Sequence, residues 1–174
     1  VVSRATVRAA IAAYLNAAAP AIPGLQHIYQ AKPWWVDGAT GFRLSANGGS
    51  GAFAYLHLVA SEETRWSVPW NGGDIGVHYD FHLVVVYIYE IPSTSQATAV
   101  SEDAWVGPVD TILQGIKDAI HADPTLGTTS TKVIFNAGQT PNPLKTSSEQ
   151  PLKSSGRLYS WHVIEFRVTE VIQA

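Results

Sequence analysis

The chain has 174 residues, enough for one domain with a real core, and 14% of them are charged against a typical ~25%. A net charge of −3 leaves no basic footprint for nucleic acid, and the absence of cysteine excludes disulfides, thiolate nucleophiles and cysteine metal sites. No stretch reaches the ~20 consecutive apolar residues of a membrane span, although 46% of the chain is hydrophobic.

Methionine is also absent. Arg4 and Arg8 fall inside an amphipathic pattern rather than ahead of an apolar core. Removal of an initiator before Val1, no signal peptide and synthesis in the cytoplasm are therefore expected. So little charge on so apolar a chain points to surface hidden in an oligomer.

The first predicted element is a helix capped by Ser3, with Val7, Ala10, Ile11, Tyr14 and Leu15 at helical spacing. Pro20, Pro23 and Gly24 end it. Leu25 to Val36 reads as a strand whose far end Pro33 demotes to an edge or bend. The glycine-rich stretch from Gly38 to Gly51 is a loop. Ala52 to Ala60 alternates, with Phe53, Tyr55, His57 and Val59 on one side and Ala54, Leu56 and Leu58 on the other. A second piece, Thr64 to Trp70, leads to a tight reversal at Asn71, Gly72, Gly73 and Asp74. Residues 52–91 thus form a hairpin or a three-stranded meander.

The longest predicted strand is Ile75 to Ile91, IGVHYDFHLVVVYIYEI. One alternate set is apolar throughout. The other begins with Gly76, His78, Asp80 and His82 and turns apolar at Val84, Val86 and Ile88. At ~3.3 Å per residue such a strand spans ~50 Å, far beyond the usual five or six residues, so something outside its own domain must cover part of it.

Pro92 and the Ser/Thr stretch that follows break this strand. Ser101, Glu102 and Asp103 start a second helix with acids near its positive end, and Val109, Ile112, Leu113, Ile116 and Ile120 form its apolar stripe. Pro108 either opens the main helix or interrupts a longer one. A short strand covers Lys132 to Asn136. Residues 137–156, rich in proline, serine and glycine, read as a long exposed loop, and Arg157 to Ile172 as the final strand. That strand sets Glu165 and Arg167 on one side and Ile164, Phe166 and Val168 on the other. Strands cluster instead of alternating with helices. The class is α+β: a mostly antiparallel sheet packed by two main helices in a single domain, 1–174.

Few constellations carry chemistry. His78, Asp80 and His82 share one face of one strand; residues two apart lie ~7 Å apart, so a neighbouring pair could share a metal with His57 from an adjacent strand completing the site, whereas His78 and His82, ~13 Å apart, could not. A polar, solvated or lumen-facing half-strand is the simpler reading. Gly49-Ser50-Gly51 lacks the strand–turn–helix setting of a nucleophile elbow, and neither NGGSG nor NGGD is a phosphate loop. Trp34, Trp35, Trp66 and Trp70 point to core or interface packing before sugar or base stacking. Lys145, Lys153 and Arg157 make the late loop positive, which suits a solvated loop and docking on an acidic partner surface equally. No catalytic residue, cofactor or metal is assigned, and an enzyme is not expected.

Over nearly its whole length the chain resembles the tail terminator and tail-completion proteins of long-tailed bacteriophages, especially those of actinobacteria. The resemblance rests on a first helix running into AIPGLQHIYQAKP and on GAFAYLHLVASEETR before the VHYDFHLVVVYIYE strand. It continues with IKDAIHADPTLG, VIFNAGQ and the closing WHVIEFRVTEVI. It implies a small α+β virion subunit that forms a hexameric ring, is assembled in the host cytoplasm, caps the tail tube and presents a surface to the head–tail connector. Viral DNA would pass through the lumen without specific binding, and no membrane is involved. His78, Asp80 and His82 become candidate lumen residues, and Lys145, Lys153 and Arg157 a candidate docking loop. Alternatives are another neck, head-closure or tail tube protein. From other classes come a small metal-dependent hydrolase using His57, His78 and His82, and a carbohydrate-binding module using the tryptophans.

Overall fold

A computed structural model describes residues 4–17, 21–33, 50–60, 66–68, 74–91, 103–123, 132–135, 144–154 and 156–172. Helix α1, Arg4–Asn16, turns Val7, Ile11, Ala12 and Leu15 inward, as their spacing along the helix requires. Its last residue has a second use. Asn16 Nδ2 donates to the Ile28 carbonyl at 2.9 Å, and the Ile28 N–H donates to Asn16 Oδ1 at 2.9 Å. The amide thus imitates a neighbouring strand along the outer edge of β1, Leu25–Tyr29. Gly24, just before β1, holds φ +81°, a conformation glycine adopts without Cβ strain.

The sheet is built on β2 (Gly51–Ala60), β4 (Asp74–Glu90) and β8 (Arg157–Ile172), with β1 on the far side of β2 in the order β1-β2-β4-β8. Among the described residues β1 and β2 are parallel and every other pair is antiparallel. The long strand predicted for residues 75–91 is present. It pairs with β8 continuously from Ile75↔Ile172 to Glu90↔Arg157. β3 (Trp66–Val68) pairs with β4 beyond the end of β2, so β2 and β3 share one edge of the same strand, the hairpin of the two expected arrangements and not the three-stranded meander.

Helix α2, Asp103–Ala122, carries the predicted stripe, and Val109, Ile112, Leu113, Ile116 and Ile120 are all buried. Pro108 lies inside this helix rather than at its start. Both helices cover one face of the sheet. Their buried residues meet Ala52, Ala54 and Leu56 of β2, the odd-numbered Tyr79 to Tyr87 of β4, and Ile164, Phe166 and Val168 of β8. Phe81 and Phe166 stack at the centre, ring centroids 5.9 Å apart.

Two readings need correction. The strand expected from Leu25 to Val36 ends at Tyr29, because Gln30 to Pro33 leave the sheet, and Trp34 to Val36 fall outside the described residues. The loop expected over residues 137–156 is largely strand from Lys145 onward. β6 (Lys145–Ser148) and β7 (Leu152–Ser154) both pair with β8, as does β5 (Lys132–Phe135) further along it. β6 is exposed at every position, as the loop reading held. An edge strand needs only backbone partners, so its side chains can be polar on both sides and its sequence loses the alternation that betrays a strand. Ser3, Ser101, the reversal at residues 71–73 and residues 38–49 lie outside the described residues, as do residues 137–143 and Trp70.

Candidate functional site

The sheet face turned away from the helices has two halves. Antiparallel pairing carries the switch from polar to apolar on β4 across its neighbours. In the apolar half Phe53, Val84, Val86 and Ile88 are buried, with Tyr29, Tyr55, Tyr159, Trp161 and Val163 packed around them. Tyr159 and Trp161 stack at 6.3 Å. In the polar half the register builds rows of charge. Asp80 is opposite Arg167, and His82 lies between His57 on β2 and Glu165 on β8.

Arg167 grips Asp80 with both ends of its guanidinium: Nε donates to Oδ1 at 2.7 Å and Nη2 to Oδ2 at 3.0 Å. The candidate lumen residue Asp80 therefore presents a neutralised pair rather than a bare negative charge. His82 Nε2 is 3.8 Å from Glu165 Oε1. His78 occupies the position opposite Thr169 on the same strand, and its side chain lies outside the described residues. The structure does bring His57 beside His82, as the hydrolase reading needed. Among the described residues, however, no three His, Cys, Asp or Glu side chains converge on a point where a metal could sit. Ser50, whose glycine neighbours raised the question of a nucleophile, accepts from the Glu90 N–H at 3.3 Å.

The candidate docking cations are strung out along an arm. Lys145 and Lys153 are exposed on β6 and β7, opposite Glu165 and Leu158, while Arg157 is half-buried at the start of β8. Eight residues of β8 separate the levels of Lys145 and Arg157, ~26 Å of strand. They form a line of positive charge and not a single patch.

One polar cluster escaped the sequence reading. His162 is buried, with Nδ1 2.7 Å from Ser148 Oγ on β6 and Nε2 3.1 Å from the buried Ser160 Oγ. Burial pushes the His162 pKa below its ordinary value, and the nearby Asp110 carboxylate opposes that shift less strongly. A neutral imidazole donates from one nitrogen and accepts at the other, so two hydroxyls satisfy it completely. The contact also ties the exposed β6 to the sheet. The signal was available: alternation in β8 sets Ser160 and His162 among Ile164, Phe166 and Val168, and buried polar groups there need partners.

Between the end of α1, the turn at residues 21–23 and α2 lies an open groove of about 890 Å³. Tyr14, Ile22, Gly115 and Ala119 supply apolar lining, and Asp110 and Asp118 project from α2 along it. Tyr14 Oη donates to the Ala119 carbonyl at 2.8 Å, and Gln114 Nε2 to Asp118 Oδ1 at 2.7 Å.

No protein-family model matches this chain, and a search of curated proteins returns no match. The reading of the site thus rests on its own geometry. That geometry assembles surfaces: a long two-faced ribbon, an exposed arm with basic residues and an apolar groove with acidic residues beside it. No helix among the described residues is long and apolar enough to cross a membrane.

Proposed function

We propose that this protein is a structural virion subunit, a tail terminator that closes into a ring, caps the tail tube and joins it to the head–tail connector. One observation carries most of the weight. The paired β4 and β8 strands run ~50 Å, whereas the 20-residue α2 that packs on them is only ~30 Å long. The helix-side core described on β4 runs from Tyr79 to Tyr87, and a ribbon that extends past it favours an assembly in which neighbouring molecules pack on the remainder. The exposed strand arm, the low content of charge and the whole-length resemblance support the same reading. On this reading the apolar half of the outer sheet face packs within the ring or against a neighbour, and the paired charges of the polar half suit a lumen over which phosphates slide without sticking.

The test is the mass of the purified protein in solution with negative-stain imaging of the same sample, before and after addition of tail tubes. Rings, or caps at one end of the tubes, are the expected result. Rings that ignore tubes would move the assignment to another neck protein. A protein that stays monomeric and leaves tubes uncapped would end it.

A further inference from the structure

The chain contains the triplet Pro-Leu-Lys twice, at residues 143–145 and 151–153. The two leucines have different fates. Leu144 packs against the helix-side core, while the lysine after it, Lys145, is exposed. Leu152 is 58% exposed, the one large hydrophobic side chain so exposed among the described residues. A single exposed leucine is ordinary in a soluble protein. This one sits in a triplet whose other copy buries its leucine, and it is followed by a cation.

The same molecule carries a surface of matching chemistry. The groove between α1 and α2 is apolar along Tyr14, Ile22 and Ala119, and Asp110 and Asp118 stand beside it. Its size, about 890 Å³, is at the upper end of the ~300–1,000 Å³ usual for ligand pockets and suits a short extended segment better than one side chain. The arm is at the β8 edge of the sheet, whereas the groove is in the helix layer. A contact between these two different surfaces on successive subunits is head-to-tail, the kind that generates rings.

We propose that Leu152 and Lys153 of one subunit dock in the α1–α2 groove of a second copy of this chain. Leu152 fills the apolar floor, and Lys153, which strand alternation turns to the other face of β7, bends its flexible stem round the free edge of that strand to bring its ammonium to Asp110 and Asp118. The inference rests on the self-assembling part of the proposed function and names the surfaces that would perform it.

The absence of native cysteine makes the test clean. Cysteines are introduced as Leu152→Cys with Ala119→Cys in one chain, and as Leu152→Cys with His57→Cys for a control on the opposite sheet face. Mild oxidation should link the first variant into a ladder of multimers on a non-reducing gel and leave the control unlinked. Separately, Lys153→Glu should weaken association by about tenfold, and adding Asp118→Lys to it should recover most of that loss. Rings that form without the ladder, or without response to the charge exchange, would overturn this docking and leave the ring reading standing. A protein that stays monomeric and unlinked, and leaves added tail tubes uncapped, would overturn both.

Discussion

Asp80 and Arg167, 87 residues apart in sequence, sit directly opposite one another on β4 and β8 and form a two-pronged ion pair at 2.7 and 3.0 Å. The side chains remain 40% and 36% exposed, so water and salt screen the pair. Arg167→Ala is expected to cost about 1 kcal/mol or less, with the loss shrinking as salt is raised. Urea unfolding at low and high ionic strength checks both statements, and a loss independent of salt would show that packing by the arginine stem is the larger effect.

The Asn16 amide satisfies both backbone groups of Ile28 at the edge of β1. Asn16→Ala leaves a donor and an acceptor beside a buried residue and should destabilise the fold by ~1–3 kcal/mol. Asn16→Asp keeps the acceptor but sets a carboxylate oxygen against the Ile28 carbonyl, and should cost at least as much. Chemical denaturation of the two variants decides it. An aspartate variant as stable as the parent would contradict the bidentate geometry.

Gly115 brings α2 close to the turn at residue 22. A Cβ added there would lie 2.9 Å from Ile22 Cγ2, and Ile22 is buried and, being β-branched, stiff at χ1. Overpacking of this kind costs ~1–3 kcal/mol, against which the helix propensity of alanine returns ~1 kcal/mol. Gly115→Ala should therefore lower the melting temperature by a few degrees, since ~1 kcal/mol shifts a chain of this size by ~2–4 °C. A rise in melting temperature would mean that the turn yields freely.

His162 titrates below its ordinary value because it is buried. About a pH unit or more above ~6.5, the unperturbed histidine value, folded and unfolded chains both hold it neutral and its contribution is constant. As the pH falls below that, the unfolded chain takes up the proton first. Stability is then lost at up to ~1.4 kcal/mol per pH unit until the pH has passed the folded value. The stability difference between the parent and His162→Gln should shrink over this window. A difference that is flat or growing as pH falls would show that His162 is protonated in the fold.

Much of the fold was legible in the order of residues. The alternation of β4 and β8, the apolar stripe of α2 and the spacing of Val7, Ile11 and Leu15 each follow from one rule. A regular element buried on one face must repeat its apolar residues with its own period, and period is a local property. The division of β4 into a polar and an apolar half was likewise visible in His78, Asp80 and His82 followed by Val84, Val86 and Ile88.

Only the tertiary structure decided which side chains meet. Asp80 finds Arg167, and His82 lies between His57 and Glu165, because of the registers of β2, β4 and β8. A slip of one residue would turn each set to the other face. β6 and β7 were invisible as strands because edge strands exposed on both sides have no apolar period to show, and Ser148 could not be joined to His162 until β6 was laid on β8. The groove between α1 and α2 exists because Tyr14 and Gly115, 101 positions apart, are brought to one surface. Burial repeats with the period of a single element, whereas pairing depends on the whole chain, and only the first can be read one element at a time.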